Sequence, residues 1–254
     1  MSRPLVAAAT RVERAAPSFG WYGKSPATGD FISRRLAKAT IDRLDVWLQA
    51  GMTALRDASP GSWQGVYASA PIWNALLPAT LLTSDASLVV VAPSFDRVGR
   101  RFPLCLVTSI DAETLHRIAS LPEYCADVSR LVDDWLHVRI EADEVDRRLP
   151  LVALRFASDD NDNASALSDI TDVLGDAAHD DLTTVPLDAH SAFPWPDLVR
   201  SFDPRARTSY WWTSSARGAL CRGLTHEGPL DVALFVTLFG RAQGEAHGSW
   251  SDRS

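Results

Sequence analysis

The chain has 254 residues, 46% hydrophobic and 22% charged, enough length and apolar content to bury a substantial core. Its 25 basic and 32 acidic side chains give a formal charge of −7, which argues against a general nucleic-acid or anionic-membrane binder. No apolar run approaches the ~20 residues of a membrane-spanning helix, and charge interrupts the N-terminal segment before it can act as a signal peptide, so a cytoplasmic protein without direct membrane insertion is expected.

Residues 1–17 are small, dotted with arginine and broken by Pro4 and Pro17, which predicts a flexible tail. Phe19, Trp21 and Tyr22, interleaved with Gly20 and Gly23, predict a first strand that lets a neighbour approach closely. After a KSPATG loop, Asp30 is placed to cap a short helix running through Leu36. Ile41, Leu44, Trp47, Leu48, Met52 and Leu55 then fall on one stripe of an amphipathic helix. Beyond Pro60 and Gly61 a shorter helix carries Trp63, Val66 and Tyr67, and Pro71 introduces an extended apolar segment, Ile72 to Leu77.

Leu88 to Pro93 and Phe102 to Val107 are apolar on both side-chain parities, the pattern of strands covered on both faces. Between them the sequence SFDRVGRRFPL sets one acidic residue and three arginines in a turn, where Gly99 can take a positive φ. Asp96, Arg97, Arg100 and Arg101 are therefore expected to gather at one end of a buried hairpin. A second helix is expected from Pro122, repeating Tyr124, Val128, Leu131, Val132, Trp135 and Leu136 on one face. Residues 158–163, SDDNDN, read as an exposed loop or linker, Ser165 to Leu174 as a short helix, and the stretch to Phe193 as polar and aperiodic. The last organised unit comprises a strand through Tyr210, Trp211 and Trp212, a strand-like Ala219 to Leu224, and a helix opened by Pro229 and closed at Gly240. Adjacent Trp211 and Trp212 must face opposite ways, so either both sheet faces are covered or one tryptophan anchors a partner. The resulting layout is a tail over 1–17, an α/β domain over 18–157, a C-terminal extension over 158–240 packed on the same domain, and a tail over 241–254. The fold class expected is an α/β (α+β) sandwich, with a mixed, mainly antiparallel sheet and helices on both faces.

Candidate chemistry is sparse. Cys105, Cys125 and Cys221 are widely spaced in apolar surroundings and read as buried free thiols. The six histidines lack metal-ligand spacing: His116 and His137 fall on helical segments, while His179, His190, His226 and His247 lie in loop-like surroundings, so neither a metal nor a cofactor is expected. The segment GWYGKS departs from a phosphate-binding loop, because Ser18 stands at the first glycine position and Pro26 removes an amide where a helix should offer donors. A hydrolase built on Ser94 or Ser33 with Asp30, Asp96 and a histidine has no GxSxG elbow to support it. Arginines around Asp30 and Asp96 would lower their pKa values, which suits ion pairing better than acid catalysis. Asp30, Arg34, Arg35, Asp96, Arg97, Arg100 and Arg101 thus carry two readings. They form an ion-pair and capping network that pins the hairpin turn to the first helix, or they hold guanidinium groups out for carboxylates or phosphorylated side chains of a partner.

GWYGKSPATGDFISRRL, the following WLQAGM, the APIW step, PSFDRVGRRFPL, and YWW with a downstream RGL occur in this order and resemble the TagF/ImpM family of type VI secretion-associated proteins. The resemblance is strong over residues 18–110 and weak over 209–240. It implies a cytoplasmic, non-enzymatic accessory protein that represses type VI secretion after translation, linked to a threonine-phosphorylation pathway and to the forkhead-associated scaffold protein Fha as partner. It also implies a helix-flanked sheet similar in part to longin-type domains. The family's charged signature falls here on Lys24, Gly29, Asp30, Arg34, Arg35, Asp96, Arg97, Gly99 and Arg100, with no established catalytic role. The chain departs from the pattern at Gly223-Leu224-Thr225 and over 157–194. The alternative function is a hydrolase or phosphoryl-transfer accessory using Ser94 and Asp96.

Overall fold

The structure, a computed structural model, describes residues 19–110, 121–152, 201–214 and 220–240. The expected tails, the 158–163 loop, the helix from Ser165 to Leu174, and His116, His179, His190 and His247 lie outside the described residues. Seven strands form one open sheet: β1 (Gly20–Gly23), β2 (Ile32–Arg34), β3 (Trp73–Leu77), β4 (Ala86–Ala92), β5 (Leu104–Ile110), β6 (Thr208–Ser214) and β7 (Leu220–Glu227). Their order is β2-β1-β5-β4-β3-β6-β7. All six pairings are antiparallel, the limit of the mainly antiparallel sheet expected.

Helices cover both faces. On one side lie α1 (Lys38–Ala58), α2 (Trp63–Ala68) and α5 (Val232–Phe239); on the other lie α3 (Leu121–Val138) and a helical segment, α4, over residues 142–152. The double covering explains why β4 is apolar throughout: Leu88, Val90 and Ala92 enter the core beneath α3, while Val89 and Val91 enter the core beneath α1. Each of these leucine and valine side chains contributes roughly 1.5–3 kcal/mol of transfer free energy when fully buried. The same geometry settles the tryptophan pair. Trp212 joins the α3 core and Trp211 the α1 core, both fully buried, so neither anchors a partner.

The apolar stripe of α1 packs as its period predicts, with Leu44, Trp47, Leu48, Met52 and Leu55 buried. Helix α5 crosses it closely and is tied on by two indole donors: Trp47 Nε1 donates to Asp231 O at 2.8 Å and Trp73 Nε1 to Leu238 O at 2.9 Å. Asp231 caps α5 by accepting from Leu234 N at 2.8 Å, so the helix opens at Val232, beyond the expected Pro229, and is closed by Gly240 as expected. Pro122 falls at the second position of α3, within the first turn, where a missing amide hydrogen costs no helical bond.

Two expectations fail. No helix follows Asp30; Ile32–Arg34 is an edge strand paired with β1, Trp21 facing Arg34 and Gly23 facing Ile32. The backbone amides that a cap would satisfy are taken up by strand pairing, and Asp30 is exposed. Helix α1 in turn starts after Ala37, without a side-chain cap. His226 lies not in a loop but on β7, where its Nε2 meets Pro229 O at 2.9 Å.

Candidate functional site

The charged turn joins β4 to β5 at the end of the sheet where β1 runs into the loop over residues 24–31. Its centre is Asp96, completely buried, whose carboxylate accepts four hydrogen bonds. Oδ1 takes the backbone amides of Val98 and Arg100 at 3.1 and 2.8 Å, and Oδ2 takes Lys24 Nζ and Arg100 Nε at 2.9 and 2.6 Å. Burial opposes the charge on Asp96, but hydrogen bonds from Lys24 and from the Arg100 amide and guanidinium outweigh it and hold the carboxyl well below the usual carboxylate range. Gly99 has φ +88°, and its amide donates to Asp96 O at 2.8 Å, so a residue free of Cβ strain closes the turn.

The turn is fastened to its surroundings at several points. Arg97 N donates to Thr28 O at 2.7 Å, and the Arg100 guanidinium also reaches Gly29 O. Beneath it, Ser94 Oγ donates to Lys24 O at 2.7 Å, while Tyr67 Oη accepts from Ser94 N at 2.9 Å and donates to Ser94 O. Gly23 allows this junction to close, since a Cβ there would lie 2.1 Å from Pro103 O. Ser94 is buried and its hydroxyl is engaged by backbone; among the described residues no histidine is hydrogen-bonded to it. Among the described residues that arrangement offers neither an accessible nucleophile nor a base to activate it.

The sequence grouped Arg34 and Arg35 with this turn, but the structure places them at a second site. Arg34 pairs with Asp143 at 2.7 Å and with Asp146, and Arg35 pairs with Asp146. Both guanidinium groups lie over the Trp21 ring, at 5.8 and 4.4 Å from its centroid. They thereby lock edge strand β2 to α4. The signature residues thus divide into an Asp96 node with Lys24 and Arg100, and an Arg34–Arg35–Asp146 node, while Arg97 and Arg101 share the Asp96 turn without pairing with its carboxylate. Asp30 joins neither through its carboxylate; its carbonyl accepts from Thr28 Oγ1 at 3.0 Å.

Sequence reasoning missed Tyr67, Phe31, Asp143 and Asp146. Tyr67 sits on a recognisable helical stripe, but nothing local shows that its hydroxyl reaches Ser94. Phe31 stacks on Tyr22 at 5.7 Å and meets Phe102 edge-on at 4.8 Å. Cys105 is a buried free thiol and Cys125 is buried too, as expected, and burial pushes the Cys105 thiol up. Among the described residues no group of three or more His, Cys, Asp or Glu side chains is placed to hold a metal, and no helix is long and apolar enough to cross a membrane.

Residues 20–150 match the family model of the TagF N-terminal domain, described as type VI secretion system-associated. The crystal structure of PA0076 from Pseudomonas aeruginosa PAO1 is similar with a TM-score of 0.59 at 23% identity, covering 93% of this chain and 100% of that one. At that identity the likeness concerns the fold. No curated protein matches the chain significantly.

Proposed function

Because the chain belongs to the type VI secretion system-associated family defined by the TagF N-terminal domain, we propose that it is a non-enzymatic accessory protein. In this reading it represses secretion after translation by binding a component of the apparatus in the cytoplasm, the forkhead-associated scaffold Fha being the partner to test first. The observation that carries the reading is the state of Asp96. A carboxylate buried, ionised and fully hydrogen-bonded is an anchor for a turn and a poor proton donor. The neighbouring Ser94 hydroxyl, donated to a backbone carbonyl, weighs against the hydrolase or phosphoryl-transfer alternative.

The experiment is affinity capture of the purified, tagged full chain with the Fha protein of the same secretion cluster, followed by a secretion assay in cells that overproduce the chain. Capture together with reduced secretion is expected. Absence of capture at micromolar concentrations, or unaltered secretion despite accumulation of the chain, overturns the proposal.

A further inference from the structure

The β4–β5 turn and the loop before β2 build one surface, held together by the Arg97 amide on Thr28 O at 2.7 Å and the Arg100 guanidinium on Gly29 O. Two large apolar side chains are left in solvent there, Phe31 at 47% and Val98 at 69% exposure. The Phe31 ring is not loose: Tyr22 stacks on it at 12° between planes, Phe102 meets it at 77°, and Lys24 Nζ lies 5.2 Å from its centroid. A ring already fixed in place loses little conformational freedom when something covers it.

Charge on this surface is unevenly balanced, since Lys24, Arg97, Arg100 and Arg101 outnumber Asp96 and the exposed Asp30. Lys24 and Arg100 are paired with Asp96, as Arg34 and Arg35 are with Asp146 at the other node. Arg97 and Arg101 have no ion-pair partner among the described residues. The Arg97 guanidinium lies over the loop itself, with Nη2 3.6 Å from the position a Cβ on Gly29 would take. These guanidinium groups stand out in a chain whose overall charge is −7. An extended polyanion would meet repulsion from the rest of such a molecule, whereas a short acidic segment would meet only the local field.

We infer that Phe31 and Val98, with Arg97 over the loop and Arg101 in the same turn, dock an acidic segment of a protein partner. An apolar side chain of that segment covers the Phe31 ring while carboxylates on either side of it take the two guanidinium groups. The inference rests on the partner-binding reading above and specifies where and by what chemistry the partner is held. The arginines attract and orient the segment, so their loss lowers the association rate and its salt dependence; the ring holds it, so its loss raises the dissociation rate.

The probe is a fluorescent peptide, Gly-Ser-Asp-Asp-Leu-Asp-Asp-Ser-Gly, titrated with the full chain by anisotropy at low and high salt. Saturable binding, weakened by salt, is expected. Binding should fall about tenfold or more in Arg97→Glu with Arg101→Glu, in Phe31→Ser, and when the peptide's leucine becomes serine, which is the size of a single interface hot spot. Val98→Asp, at a side chain already in solvent, gives a further variant that leaves the Tyr22 and Phe102 packing intact and should also weaken binding. Val46→Ser on the outer face of α1, also exposed, should not. No peptide binding, equal binding by all variants, or preferential binding of phosphatidylglycerol vesicles through the same residues overturns the inference. Capture of Fha by all these variants as well as by the unaltered chain overturns it too and leaves the proposed function standing, whereas failure of the unaltered chain to capture Fha strikes the function itself.

Discussion

Lys24 and Asp96, 72 residues apart in the chain, meet at 2.9 Å with side chains 8% and 0% exposed. The contact joins the end of β1 to the turn between β4 and β5, and so fixes the loop over 24–31 relative to the hairpin. Replacing Asp96 by Asn keeps the shape but leaves Lys24 charged and sheltered with one strong acceptor missing. Breaking a buried pair from one side costs about 3–5 kcal/mol, and Asp96→Asn should lower the melting temperature by several degrees or more in a chain of this size. Thermal unfolding followed by circular dichroism measures it. A change under one degree would show that the node does not hold the turn.

The same carboxylate predicts a pH dependence. Its pKa in the folded chain is depressed, so the stabilisation it confers is complete above the ordinary carboxylate value of about 4 and is lost as pH falls toward the folded-state value. The difference in melting temperature between the unaltered chain and Asp96→Asn should therefore be constant from pH 7 to pH 5 and shrink below pH 4. A difference that widens with acidity would contradict the assigned charge state.

Tyr67 carries a third prediction. Its hydroxyl both accepts from and donates to the buried backbone of Ser94. Tyr67→Phe preserves the ring, stacked at 5.6 Å on Phe239, and removes only the oxygen. An unsatisfied buried amide costs about 1–3 kcal/mol, so chemical denaturation should show a lower midpoint with an unchanged slope. An unshifted midpoint would mean that another group replaces the hydroxyl.

At Gly51, helix α1 lies directly against the Phe235 ring of α5. A Cβ there would lie 2.1 Å from Cγ of Phe235, a ring held by Trp47 and by Phe239 at 4.6 Å. Gly51→Ala gains about 1 kcal/mol in helix propensity but forces a fixed ring to move, and overpacking of this kind costs about 1–3 kcal/mol or more. Net destabilisation is expected, partly relieved when Phe235→Leu is added. A double variant no more stable than the sum of the two single effects would place the clash elsewhere.

What was legible in the sequence was local and periodic. Leu88 to Ala92 announces a strand covered on both sides, and the stripe from Leu44 to Leu55 announces the helix that covers one of them. Edge strand β2 was not legible, because three residues carry no period and their conformation is set by pairing with Trp21 and Gly23. The division of the arginines was hidden for a related reason. Arg34 is adjacent in composition to the Asp96 group, yet its partner Asp146 lies 112 residues away. Asp96 itself was recognisable as a turn-former, while the depth of its burial depends on Lys24 and on a loop whose path no local pattern records.

Strand β3 ends at Leu77 and its neighbour β6 begins at Thr208, although Asn74 faces Trp212 and Leu76 faces Tyr210 in the finished sheet. On the ribosome, at roughly 5–20 residues per second, on the order of ten seconds separate the emergence of the two. During that interval β3 has a bare backbone edge next to the already assembled apolar hairpin, a template for a neighbouring nascent chain. Until β6 covers it, that edge carries unpaired amides and carbonyls of the kind that invite edge-to-edge pairing.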